Sequence, residues 1–158
     1  METQDKYAEN SLQVLFMDIS KCYAGKCLQR IRELEIQPSQ MPILMMVEKY
    51  NGCSQKEMAE KMKNKPSTVN VSVQRLERTG LVYRSRDEKD QRVTKIFLTE
   101  KGIRTVSSIH EFLSEAEKIM FGNFSEAEIC LMRRFFQQIL ENIEHIPGAP
   151  VHECMLED

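Results

Sequence analysis

Residues 54–80 read SQKEMAEKMKNKPSTVNVSVQRLERTG, and this stretch decides the fold. Ser54-Gln55-Lys56-Glu57 is a capping box: a serine hydroxyl and a glutamate three residues on can satisfy each other's free backbone N–H groups at a helix start. Met58, Ala59 and Met62 then fall on one side of a short helix. Lys63-Asn64-Lys65 is a turn, and Pro66 opens a second helix at the position where a missing N–H costs nothing. That helix runs to about Arg78 and stops at Gly80. Val69, Val73 and Leu76 recur at i, i+4 and i+7 and form its inward face. Ser67, Thr68, Asn70, Gln74, Arg75 and Arg78 fall elsewhere, and all are polar. Two helices joined by a three-residue turn, the second with a polar outer face, have the pattern of a helix-turn-helix.

Downstream the period changes from helical to alternating. Leu81–Arg86 and Arg92–Leu98 are predicted as two strands, joined by the charged loop Asp87-Glu88-Lys89-Asp90-Gln91. Thr99 is a candidate N-cap for a long helix to about Met120. Ser125-Glu126-Ala127-Glu128 is a second capping box, opening a last helix to about Ile143. Pro147-Gly148-Ala149-Pro150 ends that helix, and the remainder reads as a loose tail. Upstream, Leu12, Leu15, Phe16, Ile19, Cys22, Tyr23 and Ile31 recur at helical spacing between about Asp5 and Leu34. A helix of that length extends for roughly 40 Å, more than one small domain can cover, which points to a partner subunit. Ile36-Gln37-Pro38-Ser39 breaks it. A second helix follows from about Ser39 to Lys49, with Met41, Leu44, Met45 and Val47 as its apolar positions and Tyr50-Asn51-Gly52 as its end.

The fold expected is therefore mainly α with a small β-hairpin wing. A winged helix-turn-helix lobe with its connecting long helix occupies residues 38–120. A helical dimerisation region is formed from 1–37 and 121–146, and a flexible C-terminal tail spans 147–158.

Charge supports the same division. The 158 residues carry 22 Lys and Arg against 24 Asp and Glu, a net of −2. From Ser54 to Arg104, however, there are 13 basic residues against 7 acidic, leaving 9 basic against 17 acidic for the rest. A basic middle between acidic flanks fits a module that meets a polyanion, set on a scaffold that does not. No apolar run approaches the roughly 18 residues of a membrane span, and the polar start, Met1 to Asn10, does not resemble a signal peptide. A cytoplasmic location without membrane contact is the expectation.

The residues suited to duplex DNA fall into three groups. Lys63, Lys65, Ser67 and Thr68 cluster at the start of the second helix of the pair, where phosphate oxygens are natural partners. Asn70, Gln74 and Arg75 lie along it, where amides can pair with adenine and guanidinium with guanine in the major groove. Arg84, Arg86 and Arg92, with Lys89 and Lys95, lie on the hairpin, where a wing would meet the negative potential of a minor groove. Asp90 is an acid among them, and its expected role is to brace the wing.

The ordered set Ser54–Met62, Pro66-Ser67-Thr68-Val69, Arg75–Val82, Asp90-Gln91-Arg92 and Leu98-Thr99-Glu100-Lys101-Gly102 resembles the core of the MarR family, named for the multiple antibiotic resistance regulator. Helix order outside this core is also similar. The resemblance implies a homodimer held by the first and last helices, binding a pseudo-palindromic double-stranded DNA operator as a transcription regulator. It implies that Arg92 enters the minor groove and that Asp90 holds a wing arginine. The turn departs from the usual pattern, because Lys63-Asn64-Lys65 replaces small or apolar residues.

Many members of that family are repressors released by a small, often aromatic, molecule, bound between the dimerisation helices and the DNA lobe. Met17, Met41, Met45 and Met46 fall in segments that would line such a pocket, although methionine is equally ordinary core filler. Others sense oxidants through a first-helix cysteine, and Cys22, beside Lys21 and Lys26, is the candidate here. Its partner Cys27 lies at i+5, on another face, which disfavours an intrahelical disulfide. Five widely spaced cysteines without a Cys-x-x-Cys pair fit reduced thiols better. His152-Glu153-Cys154 in the tail makes a poor metal site, and neither a metal nor any other cofactor is expected. No phosphate-binding glycine loop or nucleophile motif suggests an enzyme. The remaining rival is a winged-helix adaptor that binds protein only, which need not concentrate positive charge on one face.

Overall fold

The computed structural model describes residues 11–148. The elements run α1 (Leu12–Glu33), α2 (Met41–Lys49), β1 (Cys53–Ser54), α3 (Gln55–Lys61), α4 (Pro66–Arg78), β2 (Val82–Arg86), β3 (Thr94–Leu98), α5 (Glu100–Phe121) and α6 (Glu126–Ile143). A single 3-10 turn, Pro38–Gln40, leads into α2. The chain divides into two compact units between Leu113 and Ser114. The mainly α architecture with a small hairpin is therefore the one expected.

Local chemistry explains where most elements begin and end. Ser54 Oγ accepts from the Glu57 amide at 3.2 Å, and Glu57 Oε2 accepts from the Ser54 amide at 2.7 Å, so the first capping box is closed on both sides. Ser125 and Glu128 repeat this at α6. Ser11 caps α1 by accepting from the Val14 amide, which places the helix start at Leu12; the expected start near Asp5 lies outside the described residues. Helix α4 ends in a Schellman arrangement: Leu81 N–H donates to Leu76 O and Gly80 N–H to Glu77 O, both at 2.9 Å. Gly80 supplies the left-handed residue this requires, at φ +71°. Helix α3 ends the same way, with Asn64 N–H on Ala59 O and Lys63 N–H on Glu60 O, but here Lys63 occupies the left-handed position at φ +49°. The unusual turn thus places a lysine where glycine is the easier residue.

In the first unit the sheet order is β1-β3-β2, all antiparallel. The two-residue strand β1 pairs Cys53 with Ile96 and Ser54 with Lys95, and sequence periodicity gave no sign of it. Gly52 leads into it at φ +80°, and a β-carbon there would meet the Phe97 ring at 2.8 Å. One core joins Ile43, Leu44 and Val47 of α2, Met58 and Ala59 of α3, and Val69, Val73 and Leu76 of α4. Leu81, Val82, Ile96, Val106 and Ile109, with Ile36 and Cys53, complete it. All three α4 positions assigned inward by spacing are fully buried. Met41, Met45, Met46 and Met62 pack on the edge of this core.

Helix α5 enters that core through a close approach. A β-carbon on Gly102 would lie 2.0 Å from Leu81 O, so only glycine lets the helix start sit on the strand. Thr99 joins the same corner. Its hydroxyl is shared between the carbonyls of Gly80 at 2.6 Å and Leu81 at 3.2 Å, and accepts from the Gly102 amide at 3.0 Å. Lys101 Nζ donates to Thr79 O at 2.9 Å, a cation placed on the carbonyl end of α4. The C-terminus of α4, the root of the hairpin and the start of α5 are therefore one hydrogen-bonded corner.

Two helices behave differently. Neither α1 nor α6 buries a single residue fully. Leu15, Phe16 and Ile19 on α1, and Leu131, Phe135, Phe136 and Leu140 on α6, stay close to half exposed. No helix among the described residues is long and apolar enough to cross a membrane.

Candidate nucleic-acid interface

The exposed face of α4 carries Ser67, Thr68, Val71, Gln74, Arg75 and Arg78. Lys63 and Lys65 are exposed in the turn before it. Pro66 occupies the first helical position, and the positive end of the helix dipole beside these lysines suits an anion.

Asn70, grouped by sequence with the base-reading candidates, is turned sideways. Its Oδ1 accepts from Gln55 Nε2 at 3.0 Å and from Arg84 Nη2 at 3.2 Å. Arg84 is drawn in with it: its Nε lies 3.1 Å from Glu77 Oε2. That Nε is buried and finds no aligned acceptor, so the Glu77 contact is a charge attraction rather than a directed hydrogen bond. Asn70 and Arg84 thereby tie three elements together: α3 through Gln55, α4, and strand β2. Strand alternation explains it, since Arg84 shares the inward side of β2 with the buried Val82. Arg86 and Arg92, by contrast, are exposed.

The hairpin tip is organised by Asp87, which sequence reasoning did not single out. Its carboxylate pairs with Lys95 Nζ at 2.5 Å and accepts the amides of Lys89 at 2.8 Å and Asp90 at 3.0 Å. These partners favour the charged form, and the Lys95 contact is foremost in pulling its pKa from 3.8 down to about 2. Asp90 acts one step further along: its Oδ1 accepts the backbone N–H of Arg92 at 3.0 Å, so its hold on the wing runs through the main chain. The signal available in the sequence was the Asp-x-x-Asp spacing of a turn in which side chains accept nearby amides.

A pH dependence follows. Because the Asp87 pKa in the folded protein is depressed, its contribution to the hairpin is complete above the ordinary value near 3.8 and is lost as pH falls through about 2. Carboxyl carbon NMR is expected to show Asp87 titrating near 2. The amides of Lys89 and Asp90 should shift with the same midpoint. A midpoint near 4 would contradict the Lys95 pairing.

The remaining candidates are dispersed. Met41, Met45 and Met46 lie together on α2, while Met17 is about half exposed on α1. Cys22 is exposed on α1, Cys27 half-buried, and Cys130 exposed on α6. Cys53 is buried, and burial pushes its thiol pKa up, away from reactivity. The triplet His152-Glu153-Cys154, and most of the expected tail, lie outside the described residues.

Known proteins share this arrangement. The MarR family model matches residues 36–94, from just before the 3-10 turn to the first residue of β3. The transcriptional repressor MdtR of Bacillus subtilis (strain 168) is 34% identical over 92 residues, which are 58% of this chain and 57% of MdtR. The chain thus matches little more than half the length of that relative. The transcriptional regulator BilQ of Clostridium symbiosum is 28% identical over 82% of this chain and 85% of BilQ. Among solved structures, MepR of Staphylococcus aureus in complex with DNA superposes with a TM-score of 0.73 at 27% identity, covering 83% of this chain and 98% of MepR. The same protein bound to ethidium bromide superposes with a TM-score of 0.71. Helix order, the capped helix-turn-helix, the hairpin welded to α5 and these matches agree: residues 36–94 match the MarR family, and the chain resembles its regulators in architecture.

Proposed function

We propose that this chain is a DNA-binding transcription regulator acting as a homodimer on a pseudo-palindromic operator. One observation carries the reading: the exposed polar face of α4 and the exposed Arg86 and Arg92 of the hairpin project from one fixed scaffold, in the most basic part of the chain. The MepR–DNA complex of the same architecture supports it.

In this reading α4 lies in the major groove. Lys63, Lys65, Ser67 and Thr68 hold phosphates, Gln74 and Arg75 reach base edges, and Arg86 and Arg92 follow the adjacent minor groove. Asn70 and Arg84 set the angle between α4 and the hairpin, and Asp87 and Asp90 fix the hairpin tip. The dimer is supported by the unburied apolar faces of α1 and α6, because surfaces of that kind mark association sites. Two-fold symmetry then sets two copies of α4 about 34 Å apart, one turn of B-DNA.

Repression relieved by a small aromatic ligand extends the reading. Its support is that MdtR is a repressor and that MepR binds ethidium bromide, together with the adaptable Met41, Met45 and Met46 at the core edge.

The test is selection of duplexes from a random pool by the purified protein. An inverted repeat with half-sites about one helical turn apart is the expected product. A pool that remains random, or a single unrepeated motif, would overturn the dimeric operator reading.

A further inference from the structure

The exposed face of α4 has an apolar centre. At 3.6 residues per turn, the buried Val69, Val73 and Leu76 define one side of the helix. Arg78 lies within about 10° and Val71 within about 15° of the opposite direction, while Asn70 lies roughly 90° from it. Val71 is 45% exposed. Its neighbours one turn away are Ser67, Thr68, Gln74 and Arg75, with Arg78 two turns on, all exposed and polar. Asn70, whose amide would suit adenine, is instead held toward Gln55 and Arg84. The middle of this exposed face is thus two methyl groups framed by hydrogen-bonding side chains.

We infer that Val71 is a specificity-determining residue that reads the 5-methyl group of a thymine in the major groove. Among the four bases, only thymine presents an apolar group there; every other major-groove edge is a hydrogen-bond donor or acceptor that valine would desolvate without replacement. A β-branched residue also holds its two methyl groups in one rotamer on a helix, so the contact is fixed before binding. The inference rests on α4 entering the major groove of duplex DNA.

The test uses the duplex recovered by selection. Replacing one thymine at a time by uracil removes only the methyl group and leaves every hydrogen bond in place. At one thymine per half-site, the wild type is expected to bind the uracil duplex about fourfold more weakly, or about fifteenfold when both half-sites are changed, on the basis of one buried methyl at about 0.8 kcal/mol. The V71A variant, whose exposed site accepts alanine without loss of helix, should bind thymine and uracil duplexes at that position equally well. The inference is overturned if no uracil substitution weakens the wild type, or if V71A keeps the full discrimination. Failure to bind any selected duplex is a different result: it removes the DNA-binding reading itself, and this inference with it.

Discussion

Replacing Gly102 with alanine is expected to destabilise the protein by about 3 kcal/mol, at the upper end for overpacking. Helix propensity alone argues the other way, since alanine is better than glycine in a helix by about 1 kcal/mol. Sterics decide the sign. The added β-carbon would sit 2.0 Å from Leu81 O, a backbone atom that cannot swing aside as a side chain would. Moving it breaks its bonds with the Thr99 amide at 3.0 Å and the Thr99 hydroxyl at 3.2 Å. The root of the hairpin would then part from the start of α5. Gly80 is the control. A β-carbon there meets nothing, so Gly80→Ala should cost only the strain of a left-handed alanine, about 1 kcal/mol. Chemical denaturation of the two variants checks the order, and a Gly102→Ala variant as stable as the wild type would refute the close approach.

Introducing Phe135→Glu is expected to convert the protein to monomers at micromolar concentration. Phe135 lies on α6 with Leu131, Phe136, Ile139 and Leu140, an apolar stripe that the chain leaves 39–49% exposed. In a two-fold dimer the substitution enters the interface twice, and each copy sets an unpaired carboxylate in an apolar contact. The core of α2, α3, α4 and the sheet does not include α6, so the first unit should retain its fold. Operator affinity should drop by at least a hundredfold, because two half-site contacts are then no longer linked. Sedimentation and anisotropy read the two effects. An unchanged dimer would show that α6 is not the interface.

Much of this architecture was legible because local chemistry and burial agree. Both capping boxes, Pro66 at the first helical position, Gly80 as a left-handed cap and Thr99 at the start of α5 each leave a short, mechanistic mark on the sequence. The inward set Val69, Val73 and Leu76 follows from helical spacing alone. What escaped depends on contacts between distant residues. Strand β1 is two residues long and exists only because β3 offers it an edge. Asn70 looks like a base reader until Arg84, 14 residues away, and Gln55, 15 residues away, are seen to claim its oxygen. Asp87 and Asp90 are equivalent on paper, and only the hairpin register, which sets Lys95 near the former, separates them. Lys63 and Glu35 take left-handed conformations without the glycine that would announce them.

The most direct measurement is the equilibrium affinity for a selected operator duplex, and for a scrambled duplex of equal length, from 50 to 200 mM salt. The expected result is a log–log slope of several units for both, with the operator bound at least a thousandfold more tightly. Lys65→Ala should lower the slope by about one unit on both duplexes. Equal affinity for the two duplexes, or binding insensitive to salt, would contradict a basic helix-turn-helix dimer that reads DNA.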